Sequence, residues 1–118
     1  MKQPPGRLSI RIDLAEGLRI GPGKVALLEA VAETGSISAA GRKLRISYKR
    51  AWELLEQLNR GFGTRLVAAS PGGVGGGGAR LTEAGAALVA RYRHIEHAAT
   101  RAARENLRAL DRLTNPRQ

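Results

Sequence analysis

The sequence predicts a mainly α-helical fold with a small β component, on three observations. Apolar residues recur at helical spacing through three segments between residues 24 and 60 and again beyond residue 83. Strict alternation is confined to residues 8–14, with two short β-like runs on either side of a glycine tract. Ser36, Ser47 and Thr82 each stand just ahead of a helical segment, where a hydroxyl caps the first free backbone N–H groups. A chain of 118 residues supports one sizeable core and therefore one domain.

Residues 1–7, with Pro4-Pro5-Gly6, read as a tail. Leu8, Ile10, Ile12 and Leu14 alternate with polar residues and form a strand. After Gly21-Pro22-Gly23, residues 24–33 form a first helix with Val25, Leu28, Val31 and Ala32 on one side, ending near Thr34-Gly35. Residues 36–44 form a short helix whose inner face, Ile37, Ala40, Gly41 and Leu44, is small enough for another helix to come close. Arg45-Ile46 is a tight link, and a third helix runs from about Tyr48 to Arg60 with Ala51, Leu55 and Leu58 inward. Gly61-Phe62-Gly63 stops it. Residues 65–69 and 79–81 then pair as a hairpin around the glycine-rich tip. From Thr82 to about Leu113 no proline intervenes, and Leu88, Tyr92, Ile95, Ala99 and Ala102 recur at helical spacing before Leu107, Leu110 and Leu113 continue on a rotated stripe. A helix of roughly 30 residues is about 45 Å long, more than the core can cover, so its far end needs a partner. Asn115-Pro116 ends it, and residues 114–118 are a second tail.

Composition narrows the function. Twenty Lys and Arg against ten Asp and Glu give a net charge of +10, which favours a polyanionic partner, double-stranded DNA first. With no cysteine there is no disulfide, thiol nucleophile or Cys-ligated metal. No apolar run approaches the roughly 18 residues needed to cross a bilayer, and the charged start lacks a signal-peptide pattern, so a cytoplasmic location away from membranes is expected. His94 and His97 lie three apart without an evident third ligand, and no nucleophile is paired with a base, so neither metal, cofactor nor catalysis is expected. The glycine tract lacks the Lys and Ser or Thr that a nucleotide-phosphate loop needs after its glycines.

The element order, strand, three helices, glycine-tipped hairpin and long helix, is that of a winged helix-turn-helix spanning residues 8–82, followed by a dimerisation helix over residues 83–113. Arg42, Lys43, Arg45, Lys49 and Arg50 fall within nine residues, and no acid occurs between Thr34 and Trp52. Cations in the first turn of a helix oppose its dipole unless an outside anion offsets them, and DNA phosphate is such an anion. Tyr48 and Lys49 are placed to reach base edges, and Arg45 and Arg50 to reach phosphate. Ser36 and Ser47 act first as caps, with free N–H groups beside them for phosphate. Trp52 either packs at the rim of the core or touches DNA sugar and thymine methyls. In the wing, Gly75 and Gly76 permit close backbone approach, flanked by Arg65 and Arg80. Leu8, Ile10 and Ile12 of the strand and Leu88, Tyr92, Ile95, Ala99 and Ala102 of the long helix are the expected homodimer contacts.

The stretches Gly35-Ser36-Ile37-Ser38-Ala39-Ala40, Ile46-Ser47-Tyr48-Lys49-Arg50-Ala51-Trp52, Leu58-Asn59, the glycine wing and Leu81-Thr82 closely resemble the N-terminal DNA-binding domain of ModE-type molybdate-responsive transcription regulators. Part of the pattern, Gly-Ser-Ile-Ser-Ala-Ala with a later Leu-Thr-Glu-Ala-Gly, is also similar to the LysR-type helix-turn-helix. The resemblance implies a homodimer that binds a palindromic operator, with Ser47, Tyr48, Lys49 and Arg50 facing DNA. In that family the molybdate-sensing modules follow this domain, and these residues include none, so direct molybdate binding is not expected and a separate effector or sensor protein becomes a possible partner. The simplest effect of operator occupancy is repression. The competing expectation is a protein-interaction module, or one that binds DNA without sequence preference.

Overall fold

A computed structural model describes residues 5–70 and 78–114. Gly75 and Gly76, and the rest of the expected wing tip, lie outside the described residues. The elements are strands β1 (Ile12–Asp13) and β2 (Arg19–Ile20), helices α1 (Pro22–Thr34), α2 (Ile37–Leu44) and α3 (Tyr48–Phe62), strands β3 (Val67–Ser70) and β4 (Gly78–Leu81), and helix α4 (Glu83–Thr114). β1 pairs antiparallel with β2, Ile12 opposite Ile20, and β3 pairs antiparallel with β4, Val67 opposite Leu81.

The N-terminal strand is shorter than the alternation of residues 8–14 suggests, and its partner β2 was not foreseen. Only Ile12 and Asp13 find paired backbone, because the chain reverses at once through a single 3₁₀ turn, Ala15–Gly17, with Glu16 and Gly17 both left-handed. The remainder runs along α4. The Tyr92 hydroxyl donates to the Ile10 carbonyl at 2.6 Å, and the Gly6 N–H donates to the Asp111 carboxylate. α1 begins two residues earlier than the apolar pattern indicates, since Pro22 suits the first helical position where no N–H is required. It is the central helix: Leu27 and Ala30 are buried along with Val25, Leu28 and Val31, whereas Ala32, expected inward, is exposed. α3 passes through Gly61 and stops only at Gly63, which takes the left-handed conformation at φ 64°. Gly61 keeps helical backbone, and its lack of a side chain lets Leu18 pack against α3, where a methyl group would lie 2.6 Å from Leu18 Cδ1.

The principal core gathers α1, α2, α3 and the hairpin, with Leu27, Leu28, Val31, Ala51, Leu55, Leu58 and Leu66 all essentially inaccessible. A second cluster joins Ile20, Val25 and Tyr92 beneath the first turns of α4. Tyr92, expected on a pairing face, is instead 2% exposed inside its own chain. Its ring fills the gap between α1 and β2, and its hydroxyl is spent on Ile10, so it is not free to meet a second copy.

Two contacts anchor α4. Gly85 packs directly on the Leu66 backbone, and a methyl group there would lie within the van der Waals radius of the Leu66 carbonyl oxygen. Farther along, Arg93 donates to both oxygens of Glu29 on α1, at 3.0 and 2.5 Å, and to Glu96 at 2.5 Å. Hydrogen bonding from Arg93 holds the Glu29 carboxyl below its ordinary value, against the opposing effect of burial.

Gly85→Ala is expected to lower the melting temperature by roughly 5–15 °C, the usual cost of overpacking against rigid backbone, as thermal denaturation would show. Because the folded pKa of Glu29 lies below its unfolded one, its contribution to stability is full above about pH 5 and is lost as the pH falls through the folded value. Denaturant titrations from pH 7 downward should therefore fall less steeply for Glu29→Gln than for the wild type.

Candidate nucleic-acid interface

The interface is built by two caps and one left-handed turn. Ser36 Oγ accepts from the Ala39 N–H at 3.1 Å and Ser47 Oγ from the Arg50 N–H at 3.0 Å, so both hydroxyls are spent on capping α2 and α3. Between the helices, Arg45 takes φ 60° and ψ 40°. Its N–H reaches the Arg42 carbonyl and the Ile46 N–H reaches the Gly41 carbonyl, which is the paired closure of a Schellman motif. The chain then enters α3 with Ala51, Leu55 and Leu58 inward. Tyr48, Lys49 and Arg50 consequently point outward together, all exposed.

The cations differ in what holds them. Lys43 is ion-paired with Glu33, Arg42 donates to Ser38 Oγ at 2.9 Å, and Arg50 lies 4.0 Å from Glu53 one turn along its helix. Among the described residues Lys49 and Arg45 have no acidic partner within ion-pair distance. Neither α2 nor α3 has an acid in its first turn.

A groove of about 440 Å³ separates α3 from the hairpin. Its walls include Ser36 at the start of α2, Tyr48, Trp52 and Glu56 on α3, and Arg65 and Ala79 at the hairpin. Tyr48 is 56% and Trp52 47% exposed, and Trp52 belongs to neither core cluster. Asn59 sets the width of the groove, because its Oδ1 accepts from the N–H groups of Leu66 and Val67 at 2.7 and 3.3 Å and pins the hairpin to α3. The other hairpin strand is tied by the Ala79 N–H to the Gly35 carbonyl at 2.9 Å. Arg65 and Arg80 are exposed at the hairpin stem. Asn59 belongs to the Leu58-Asn59 stretch that carries the resemblance, and Glu56 reads from the sequence only as a surface acid, although four-residue steps from Tyr48 through Trp52 place it on this face.

Of the expected pairing residues, Ile12, Leu88 and Ile95 line one apolar groove together with the buried Tyr92, and the others lie outside it. Leu8, Ile10 and Ile12 are half-buried, Leu88 and Ala99 are partly covered on α4, and Ile95 and Ala102 are exposed. Beyond them Leu110 and Leu113 are 57% and 75% exposed. His94 and His97 are exposed on the same helix, and no group of three or more potential metal ligands occurs among the described residues. No helix among them is long and apolar enough to cross a membrane.

This geometry coincides with a known pattern: the bacterial regulatory helix-turn-helix of the lysR family matches residues 23–86, from the first turn of α1 into α4. The chain belongs to that family. The LysR-type fold is also evident in solved structures. The DNA-binding domain of CbnR, in complex with DNA, is 27% identical with a TM-score of 0.59 over 75% of this chain and 95% of that one. ArgP from Mycobacterium tuberculosis has a TM-score of 0.51 at 27% identity, over 70% of this chain and 29% of that one. Among curated proteins the chain is similar to the molybdenum-pterin-binding protein MopA of Rhodobacter capsulatus, at 42% identity over 86% of this chain and 38% of the relative. It is also similar to the DNA-binding transcriptional dual regulator ModE of Escherichia coli (strain K12), at 37% identity over 70% of this chain and 32% of the relative. The chain spans about a third of the length of these relatives. Within the LysR-type frame, α2 and α3 are the helix-turn-helix, the β3–β4 hairpin is the wing and α4 is the long C-terminal helix.

A non-glycine residue in the left-handed region carries a backbone cost that glycine escapes. Arg45→Gly is therefore expected to stabilise the fold by about 0.5–1 kcal/mol, raising the melting midpoint by a few degrees in a thermal melt.

Proposed function

We propose that this chain is the DNA-binding part of a ModE-type transcription regulator, which recognises a double-stranded operator through α3 and the wing and does so as a homodimer. The observation that carries this reading is the outward, cationic first turn of α3: Tyr48, Lys49 and Arg50 are exposed on a helix whose opposite side is fully buried. Placing cations at a helix N-terminus costs a few tenths of a kcal/mol, which a bound phosphate offsets. Tyr48 and Lys49, the latter without an acidic partner, reach base edges; Arg45 and Arg50 meet phosphate; and the N–H groups beside Ser36 and Ser47 hold the strand in register. Arg42, Lys43, Arg65 and Arg80 add phosphate contacts at the edges.

The case for a twofold partner comes from α4. Its 32 residues extend about 48 Å, past the core that covers its first turns. An apolar groove of about 420 Å³ lined by Ile12, Leu14, Leu88 and Ile95 opens beside its near half, and exposed leucines mark its far half. Between them lie Ala99, Ala102 and Ala103, small enough for two helices to cross closely. An antiparallel mate crossing there lays its Leu110 and Leu113 against the groove, and the reverse contact follows by symmetry. Two copies of α3 then enter successive major grooves about 34–36 Å apart, over an inverted repeat. Occupancy of such a site excludes polymerase, so repression is the simplest outcome.

Selection of bound sequences from random DNA should return an inverted repeat, with a slope of log affinity against log salt near −7 for about eight neutralised phosphates per dimer. Lys49→Ala should cut discrimination between operator and random duplex by roughly 1–3 kcal/mol, whereas Arg45→Ala should weaken both to a similar extent. Equal losses for Lys49→Ala on the two duplexes would remove its base-reading role. A protein that sediments as a monomer at concentrations that saturate the repeat would remove the twofold arrangement.

A further inference from the structure

We infer that Glu56 is a sequence-reading residue whose carboxylate accepts a hydrogen bond from the exocyclic amino group of a cytosine in each half-site. The inference rests on the DNA-binding reading and adds to it a residue and the base edge it recognises. Three observations carry it. Tyr48, Trp52 and Glu56 follow one another at four-residue steps along α3 and line the groove between that helix and the wing, so Glu56 shares the face on which the two exposed aromatic side chains stand. Eight residues of helix place it about 12 Å from Tyr48, within the span that a recognition helix presents to a major groove. Second, every other acid on the three helices of the DNA-binding unit is neutralised: Glu29 by Arg93, Glu33 by Lys43 and Glu53 by Arg50. Glu56 alone of the four has no cation within ion-pair distance, and no hydrogen-bond partner for its side chain occurs among the described residues. Third, this unpaired carboxylate belongs to a chain of net charge +10, on the face that approaches phosphate.

A bare carboxylate on that face is repelled by any duplex, and only a donor can offset the cost. In the major groove the donors are the amino groups of cytosine and adenine. Adenine also presents the N7 acceptor beside its amino group, which suits Asn or Gln, with a donor and an acceptor, and opposes a second carboxylate lone pair. Cytosine presents its amino group without an adjacent acceptor on the same base. Glu56 therefore favours cytosine and penalises duplexes that lack it at that position, an instance of discrimination through a repulsive element.

The test is selection from random duplex DNA with the wild type, Glu56→Gln and Glu56→Ala, followed by competition binding on matched duplexes that differ at one position. The wild-type motif should hold a cytosine at one position of each half-site, with roughly a 10- to 100-fold preference there. Glu56→Ala should lose that preference and leave every other position unchanged, and Glu56→Gln should shift it towards adenine. Circular dichroism and melting of both variants confirm that the fold is kept. Retention of the same cytosine by both variants, or a uniform gain of affinity on all duplexes without change of motif, would overturn the assignment while leaving DNA recognition intact. A wild type that enriches no sequence would overturn the DNA-binding reading itself, and this inference with it.

Discussion

The direction of the cationic surface is decided by the backbone between Gly41 and Ser47. There the N–H groups of Arg45 and Ile46 turn back onto the end of α2, and the chain leaves through a left-handed residue straight into the next cap. The turn tolerates little bulk: a methyl group on Gly41 would sit 3.1 Å from the Ile46 carbonyl oxygen and 3.6 Å from the Ala51 side chain. With α2 and α3 held so closely, burying Ala51, Leu55 and Leu58 leaves Tyr48, Lys49 and Arg50 no direction but outward. Arg45 occupies a backbone state that glycine would adopt more cheaply. An arginine there exposes a cation two residues before the Ser47 cap at the cost of some stability.

Charge pairing refines the same surface. The acids of α1 to α3 are few, and three of the four are matched to particular cations. Arg93 is half-buried and engaged in joining α1 to α4, and Lys43 is drawn back towards α1 by Glu33. The net charge thus overstates the number of cations available to a ligand. Beside the Ser47 cap, Arg45 and Lys49 have no acidic partner among the described residues, and Arg65 and Arg80 at the hairpin stem have none either.

Much of this was legible in the sequence because the local signals agree. Ser36, Ser47 and Thr82 mark three helix starts, the inward residues of α2 and α3 keep helical spacing, and the hairpin is bounded by Asn59-proximal glycines and Thr82. The errors lie where tertiary contact overrides local pattern. The alternation at Leu8–Leu14 suggests a long strand, yet most of it lies along α4 and only two residues pair. Tyr92 shares helical spacing with Ile95 and Ala99, which made it seem part of one continuous face. A turn of the helix later the core has ended, so neighbours in the stripe differ completely in exposure. The Arg93 bridge to Glu29 joins residues 64 positions apart, and no periodicity encodes such a pairing. The sequence marks Glu56 only as one of four surface acids on α1 to α3, and which of them lacks a cation partner is set by side-chain packing.

One residue, Thr82, separates the last wing strand from α4. Its hydroxyl donates to the Arg65 carbonyl at 2.6 Å and accepts from the Gly85 N–H at 3.1 Å, while its own N–H donates to the Leu66 carbonyl. A joint so short and so fully bonded has no slack. Rotating α4 about its axis must swing the hairpin with it, in the manner of a key turned by its shaft. The two wings of an assembled pair would therefore share a mechanical linkage through the helices that join them, and a change of crossing angle would be felt as a change of wing attitude.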